Sequence, residues 1–194
     1  MAFWSSPGSS PKRQYRWIMN IGGIPQWIVK KVNKPGFTIS ESTHKYLNHS
    51  FYYPGRVEYE KTSVTLVDPV SPDAAAIMMR ILEASGYGIP DNPNQTVTIS
   101  KKKATKALGN VLISQIGAEG QIVDQFEFIN AWLSSAKFGE LDYESDNLTD
   151  LTMEIRYDFV TMPIQGSTEH FDIVHSPPSD PGTGEAGGSV FTTE

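Results

Sequence analysis

The sequence predicts an all-β sandwich or barrel subunit with one α-helix. Three features carry that reading: apolar residues alternate with period two in several segments bounded by Gly, Pro and Asn, a single segment at about 72–85 has helical periodicity with matching end signals, and two hairpins are longer than a small domain needs. The core spans residues 15–162. An N-terminal arm, 1–14, is rich in Ser, Pro and Gly, and a C-terminal arm, 163–194, is poor in core-forming residues.

Taken in order, Tyr15 to Ile21 is aromatic and β-branched, stops at Gly22-Gly23, and reads as a hairpin with Trp27 to Val32. From Phe37 to Tyr53, Phe37, Ile39, Glu41, Thr43, Lys45 and Leu47 alternate with Thr38, Ser40, Ser42, His44, Tyr46 and Asn48, which makes one face almost wholly polar. Pro54-Gly55 is expected to turn the chain, and Val57 to Val67 to return as the partner strand, with Val64 and Leu66 on a buried face. Ser71, Pro72 and Asp73 supply a cap, a first-turn proline and a first-turn acid for the helix, and Gly86 ends it. Ala74, Ile77, Met78, Ile81, Leu82 and Ser85 form its apolar stripe, with Arg80 and Glu83 facing away. Gln95 to Ser100 reads as a short strand before the basic run Lys101-Lys102-Lys103. A second long hairpin follows, Asn110 to Ile116 and Gln121 to Leu133 around Gly117 to Gly120, with Val111 and Ile113 facing opposite to Leu112 and Ser114. The last strand, Leu148 to Thr161, alternates Leu151, Met153, Ile155, Tyr157 and Phe159 with polar residues and Val160.

Composition removes several classes of function. With 194 residues, 39% of them hydrophobic, the chain can build an independent core, and no apolar run approaches the ~18 residues of a membrane-spanning helix. The first residues lack the pattern of an export signal, and cysteine is absent, so disulfides, thiolate nucleophiles and cysteine-ligated metals are ruled out and synthesis in a reducing cytoplasm is expected. A net charge of -6 argues against a general nucleic-acid binder. That average conceals a polarity: residues 1–106 carry 14 Lys and Arg against 7 acids, and residues 107–194 carry 2 against 15. Opposite charges at two ends of one chain can steer copies head to tail, although a charge run is more commonly a solvated face.

No catalytic set is legible. There is no phosphate-binding glycine loop and no dinucleotide fingerprint, and the matches to a serine-x-x-lysine pattern at Ser42 to Lys45 and Ser100 to Lys103 lack companion motifs. The four histidines, at 44, 49, 170 and 175, are poorly spaced for joint ligation. Asp142, Glu144 and Asp146 resemble the start of a calcium loop, but Asn147 and Met153 stand where that loop needs glycine and glutamate. The Asn-x-Ser/Thr triplets at Asn48, Asn94 and Asn147 carry no weight without export. Lys101 to Lys103 with Lys106 is the one basic cluster, and no aromatic platform is interleaved with it. The expectation is a protein without catalytic residues, metal or cofactor.

Two long hairpins with polar faces leave strand edges that invite pairing with other chains, and a ring of such hairpins would close a barrel around a wet lumen. Asp124 to Leu133 (DQFEFINAWL), Gly139 to Tyr143 (GELDY), Asp146-Asn147 and the strand Leu148 to Phe159 together resemble the C-terminal half of tail tube proteins from T-even-type contractile-tailed phages, which are related to the tubes of contractile injection systems. The order of hairpin, long hairpin, helix, long hairpin and final strand is also that family's order, over roughly residues 15–160.

The resemblance implies a hexameric ring in which four long strands per subunit close a 24-stranded barrel. Rings stack into a tube in the virion tail, within a contractile sheath, and DNA and the tape-measure protein pass through the lumen. It further implies a structural role without catalysis, partners in self, sheath, baseplate and tape-measure protein, and no membrane insertion by this chain alone. The lumen hairpins would span about 38–67 and 105–132, with Ser40, Ser42, His44, Asn48, Gln121, Gln125 and Glu127 as candidate lumen-lining residues. The alternatives are a tube-like baseplate or tail-terminator protein and a monomeric β-sandwich binding module. Deleting residues 163–194 is expected to spare the fold and weaken contact between rings or with the sheath. Circular dichroism and a thermal melt of the truncated protein check the first point, where global unfolding would sink it, and sedimentation checks the second.

Overall fold

The computed structural model describes residues 11–88 and 97–162. In chain order the strands are β1 (Trp17–Ile21), β2 (Val29–Val32), β3 (Phe37–Tyr46), β4 (His49–Tyr59) and β5 (Thr62–Val67), then helices α1 (Ala74–Ala84) and α2 (Lys101–Leu108), then β6 (Val111–Ile116), β7 (Ile122–Ile129), β8 (Trp132–Lys137), β9 (Asp150–Arg156) and β10 (Phe159–Thr161). One sheet has the order β1-β6-β7-β10 and a second β2-β5-β9-β8, all neighbours antiparallel, while β3 and β4 pair only with each other.

The core lies between the two four-stranded sheets and is set by alternation. Val64 and Leu66 of β5, Leu151, Met153 and Ile155 of β9, Val111 and Ile113 of β6, Met19 and Ile21 of β1 and Phe128 of β7 are all buried in one cluster. Fully burying such a side chain contributes roughly 1.5–3 kcal/mol, so these inward positions dominate the stability of the sandwich. The expected buried pair Val64 and Leu66, the opposed facings of Val111 and Leu112, and the alternation from Leu151 to Tyr157 all hold.

Several expectations fail, three of them because the chain changes sheets. Trp17–Ile21 and Val29–Val32 do not form a hairpin: β1 pairs with β6 and β2 with β5. Between them Gly22-Gly23 and a 3-10 turn, Gln26–Ile28, carry the chain from the first sheet to the second, with Ile28 buried in the core. The final strand is likewise broken. β9 ends at Arg156 and β10 joins β7, leaving Phe159 exposed. A third such corner occurs at Asn130, which adopts φ 56° between β7 and β8, so the second long hairpin ends at Ile129. Strands that pass from one sheet to the other at bends are the ordinary way a sandwich closes its corners, and period-two alternation continues straight through them.

The expected turn at Pro54-Gly55 fails as well. The turn of the first long hairpin is Leu47-Asn48, and Pro54-Gly55 lies inside β4, where the register slips opposite Ser40. This is a β-bulge, and the bulged Arg56 N–H donates to Ser40 Oγ at 2.8 Å. Gly55 is required there, since a Cβ would stand 2.9 Å from the Ser40 carbonyl oxygen. Thr62–Val67 is consequently a separate strand in the second sheet.

The count of helices also differs from the expectation of one. In α1 the cap is Asp73 rather than Ser71, and the helix starts at Ala74 rather than Pro72, because the Asp73 carboxylate accepts from Ala76 N–H at 2.9 Å, while Asp68 accepts from Ala74 N–H at 3.0 Å. Ala74, Met78, Ile81 and Ser85 are buried, Ile77 and Leu82 half-buried, and Arg80 and Glu83 exposed, as the stripe predicts. Gly86 ends the helix at φ 103°. The basic run, however, opens a second helix. Ser100 caps α2 by accepting from Lys103 N–H, and Ala104 and Leu108 are buried. Lysines in a first turn oppose the helix dipole. Here Lys101 Nζ is drawn to Asp158, at 2.8 and 2.6 Å from its two carboxylate oxygens. No strand is present at 97–100.

Residues 1–10 of the N-terminal arm, Asn94 to Thr96, and the C-terminal arm with His170 and His175 lie outside the described residues. The rest of the N-terminal arm sits against the first sheet: Lys12 meets Asp124, and Gln115 Nε2 donates to the Arg13 carbonyl at 3.3 Å.

Asp158 joins three of these features. Its carboxylate accepts from Lys101 of α2 and from Asn130 Nδ2 at 2.8 Å, at the corner between β9 and β10. The Lys101 ammonium and the Asn130 amide hold its pKa below the ordinary aspartate value of 3.8. A depressed carboxylate pKa adds stability that is present above the unfolded value and lost as pH falls through the folded one. Asp158→Asn is therefore expected to lower the thermal midpoint at neutral pH, with the difference from wild type shrinking below pH 3.8. Melts recorded from pH 7 to pH 2.5 check this; a constant difference across that range would assign the effect to packing.

Candidate assembly surface

The hairpin formed by β3 and β4 is the part of the chain that its own sandwich does not explain. Strands of 10 and 11 residues extend roughly 33 Å at ~3.3 Å per residue. All their residues are exposed except the half-buried Tyr59. Isolated two-stranded hairpins are marginal in water, and each outer edge here presents a row of unpaired N–H and C=O groups. The tip turns through Leu47-Asn48, with Leu47 at φ 49°.

Register assigns the faces. Opposite residues share a face, so Ser42 stands with Tyr53, His44 with Phe51 and Tyr46 with His49, while Glu41 stands with Pro54, Thr43 with Tyr52 and Lys45 with Ser50. The face bearing Ser40, Ser42 and His44 is therefore not almost wholly polar, as the β3 sequence alone implies. The partner strand adds Phe51 and Tyr53, and the His49 and Phe51 rings lie 5.9 Å apart on it. A turn at Pro54-Gly55 would set Phe51-Tyr52-Tyr53 opposite Glu58, Val57 and Arg56, whereas the turn at Leu47-Asn48 sets them opposite His44, Thr43 and Ser42.

The other candidate residues fall elsewhere. Asn48 is in the tip turn rather than on a strand face. Gln121 lies in the turn between β6 and β7, where its carbonyl accepts from Gly117 N–H at 2.8 Å and its side chain accepts from Glu119 N–H at 3.1 Å. Gln125 and Glu127 are half-buried on β7, opposite Ser114 and Leu112, and on the face of the first sheet that points away from buried Asp124 and Phe128. The structure thus groups Ser40, Ser42 and His44 on one hairpin face and Gln125 with Glu127 on the outer face of a different sheet.

Aromatic contacts anchor the hairpin at its base. Tyr59, the last residue of β4, has its ring centroid 6.2 Å from Phe37 and 5.9 Å from Tyr157, which in turn meets Phe128 edge-on at 4.7 Å. Tyr157 is buried, and burial raises the pKa of its hydroxyl despite the neighbouring Thr62 hydroxyl. Neither hydroxyl reaches hydrogen-bond geometry with a partner among the described residues. Beside this ladder a cavity of about 650 Å³ lies between Glu58, Lys101, Trp132 and Arg156. No group of three or more His, Asp or Glu that could hold a metal occurs among the described residues.

Tyr157→Ala is expected to cost about 3–5 kcal/mol of unfolding free energy, as for other buried aromatic truncations. Tyr157→Phe, which keeps the ring and removes an unsatisfied buried hydroxyl, is expected to be neutral or mildly stabilising. Chemical denaturation of both variants checks the pair; a large loss in Tyr157→Phe would mean that the hydroxyl is hydrogen-bonded.

No protein-family profile and no curated protein sequence matches this chain. Its fold nevertheless matches solved structures. A chain of the six-fold symmetrised anti-feeding prophage baseplate superposes with a TM-score of 0.59 at 16% identity, covering 82% of this chain and 99% of that one. A chain of the extended sheath-tube complex of the extracellular contractile injection system PVC gives 0.55 at 17%, covering 81% and 94%. A chain from the tube-terminating cap of the anti-feeding prophage gives 0.55 at 18%, covering 80% and 92%. The chain therefore has the mostly β fold, here with two helices, that is found in the tube, baseplate and cap assemblies of contractile injection systems.

Proposed function

We propose that this chain is the structural subunit of a tail tube, in a contractile-tailed phage or a related injection system. The observation that carries the reading is the exposed β3-β4 hairpin, whose two edges and solvated aromatic residues call for neighbours. Six copies with hairpins side by side, each supplying four long strands, close a 24-stranded barrel, and closure removes every strand edge. Rings then stack into a hollow conduit for DNA and the tape-measure protein, inside a contractile sheath in the virion tail, after synthesis in the host cytoplasm. The chain works as a wall, without catalysis.

The two hairpin faces support an orientation. Phe37, Ile39, Val57 and Tyr52 share one face and suit burial under a neighbouring sandwich. That leaves Ser40, Ser42 and His44, with Phe51 and Tyr53 beside them, toward the lumen, and Gln125 and Glu127 on the second pair of strands. Such a lining has few cations, and a phosphate backbone slides past it because no lysine or arginine array holds it through counterion release. Asn48 at the hairpin tip and Gln121 in a turn would then rim the channel. The likeness to baseplate and cap chains favours one second reading, a ring at the end of the tube rather than its repeating unit.

Negative-stain electron microscopy of the purified protein, concentrated at low and moderate salt, tests the proposal. Hexameric rings or hollow filaments are expected for the repeating subunit, and single rings that do not stack for an end ring. Compact monomers under every condition would replace both with a monomeric binding module. Ser42→Trp is expected to leave rings assembled with an obstructed channel; loss of assembly would mean that position 42 is packed between subunits.

A further inference from the structure

Strands β8 and β9 form a hairpin whose two ends differ in character. At one end Trp132 pairs with Arg156, and at the other Lys137 pairs with Thr152, so the ends stand roughly 16 Å apart at ~3.3 Å per residue. Trp132 and Arg156 open on the cavity of about 650 Å³ beside the root of the β3-β4 hairpin. The connection 138–149 leaves from the other end.

That connection is an acidic loop with apolar side chains on display. It carries Glu140, Asp142, Glu144 and Asp146 with no Lys or Arg, and none of these acids has an ion pair among the described residues. Between them Leu141 is 88% exposed and Tyr143 fully exposed, and Phe138 and Leu148 are exposed on either side. Large apolar side chains gathered in a polar surround mark an interaction site.

The cavity offers the complement. Val57 and Ile99 are exposed on its wall and Trp132 is half-buried. Lys101 and Asp158 neutralise each other there, whereas Arg156 has no ion pair among the described residues. Helix α2, whose first turn lines the cavity, adds Lys102, Lys103 and Lys106, exposed and likewise without an ion pair among the described residues. Glu58 is the one lining acid in that condition, so the unpaired charge around the cavity is mainly positive.

One molecule does not join these two surfaces, since residues 138–148 are exposed throughout and lie beyond the far end of their own hairpin. Complementary surfaces at opposite ends of one element make a heterologous contact, which runs from copy to copy as a closed ring or an open filament.

We propose that the cavity beside the hairpin root receives the 138–149 loop of a second copy. This rests on the tube reading above and names one of its subunit contacts. Burial of Leu141 and Tyr143 against Val57, Ile99 and Trp132 holds the contact. The loop acids meet Arg156 and the α2 lysines, which steer the approach and fix register. Salt weakens such a contact.

The chain has no natural cysteine, so two variants of the full-length protein, Thr98→Cys at the cavity and Ser145→Cys in the loop, give a specific test. Mixed at low salt and treated with a short bis-maleimide, they are expected to give a 98–145 link, identified by mass spectrometry of the digest, in a yield that falls as salt rises. Adding Asp142→Lys and Glu144→Lys to the loop variant, at exposed positions that the fold does not depend on, should lower the yield roughly tenfold. Adding Lys102→Glu and Arg156→Glu to the cavity variant should then recover most of it. A yield unmoved by these reversals would overturn the proposal. Rings or filaments in the electron microscope from a sample that gives no 98–145 link would overturn this contact and leave the tube reading intact. A link in a sample that forms neither would uphold the contact and remove the tube reading. A link from Thr98→Cys to Asn48→Cys at the hairpin tip, with none to the loop, would give the cavity to the hairpin and overturn the proposal. Absence of any self-association would remove both readings.

Discussion

Everything distinctive in this structure follows from one requirement, that the backbone hydrogen-bonding groups of a sheet find partners. The two four-stranded sheets meet it among their inner strands and cover each other with Val64, Leu66, Leu151, Met153, Ile155, Val111 and Ile113. The β3-β4 hairpin does not meet it. Its strands bond only to each other, and among their residues only Tyr59 is partly covered. A pair of strands with two open edges and solvated aromatic rings is a weakly stable way to spend 21 ladder residues in water, and it is the part of the fold that the proposed ring would complete.

Aromatic rings join that hairpin to the sandwich. The Phe37, Tyr59, Tyr157 and Phe128 rings run in sequence from the hairpin base into the first sheet. Directly beyond Tyr157, Asp158 ties together the start of α2, the β7-β8 corner and the β9-β10 corner through Lys101 and Asn130. These contacts lie where the chain changes sheets, which is where a sandwich is otherwise weakest, because the ladder is interrupted. The same residues therefore close the corners and brace the hairpin root. In the proposed ring, a root free to swing would cost the register between neighbours.

Charge supplies the second organising constraint. A chain with 14 of its 16 Lys and Arg in residues 1–106, and 15 of its 22 acids after them, could have mixed the two signs on folding. In part it does, since Lys30, Lys61 and Lys101 pair with Asp150, Glu154 and Asp158. What folding leaves without an ion pair among the described residues includes the acids of the 138–149 loop and Lys31 on the β2 edge. Exposed pairs of this kind add little to the stability of one subunit. Charges left over in this way act on encounter and register wherever two chains meet.

The sequence by itself determined the class of the protein and its inward-facing residues. Period two picked out Val64, Leu66, Leu151, Met153 and Ile155, and the stripe and terminal glycine defined α1, because both signals are local and the buried side of an element is written in its own residues. The exclusion of cysteine chemistry is likewise read directly from the chain. Which strands pair was decided only in three dimensions. Alternation runs unbroken through the corners at Arg156 to Phe159 and at Asn130, and Pro54-Gly55 has the composition of a turn whether it makes one or a bulge. The helix at Lys101–Leu108 was hidden because its lysines oppose the dipole, and the Asp158 that offsets them lies 57 residues away. For the candidate surface, Ser40, Ser42 and His44 were legible as one face of one strand. That Phe51 and Tyr53 share it was not, because a face of a hairpin belongs to two strands at once and only the register joins them.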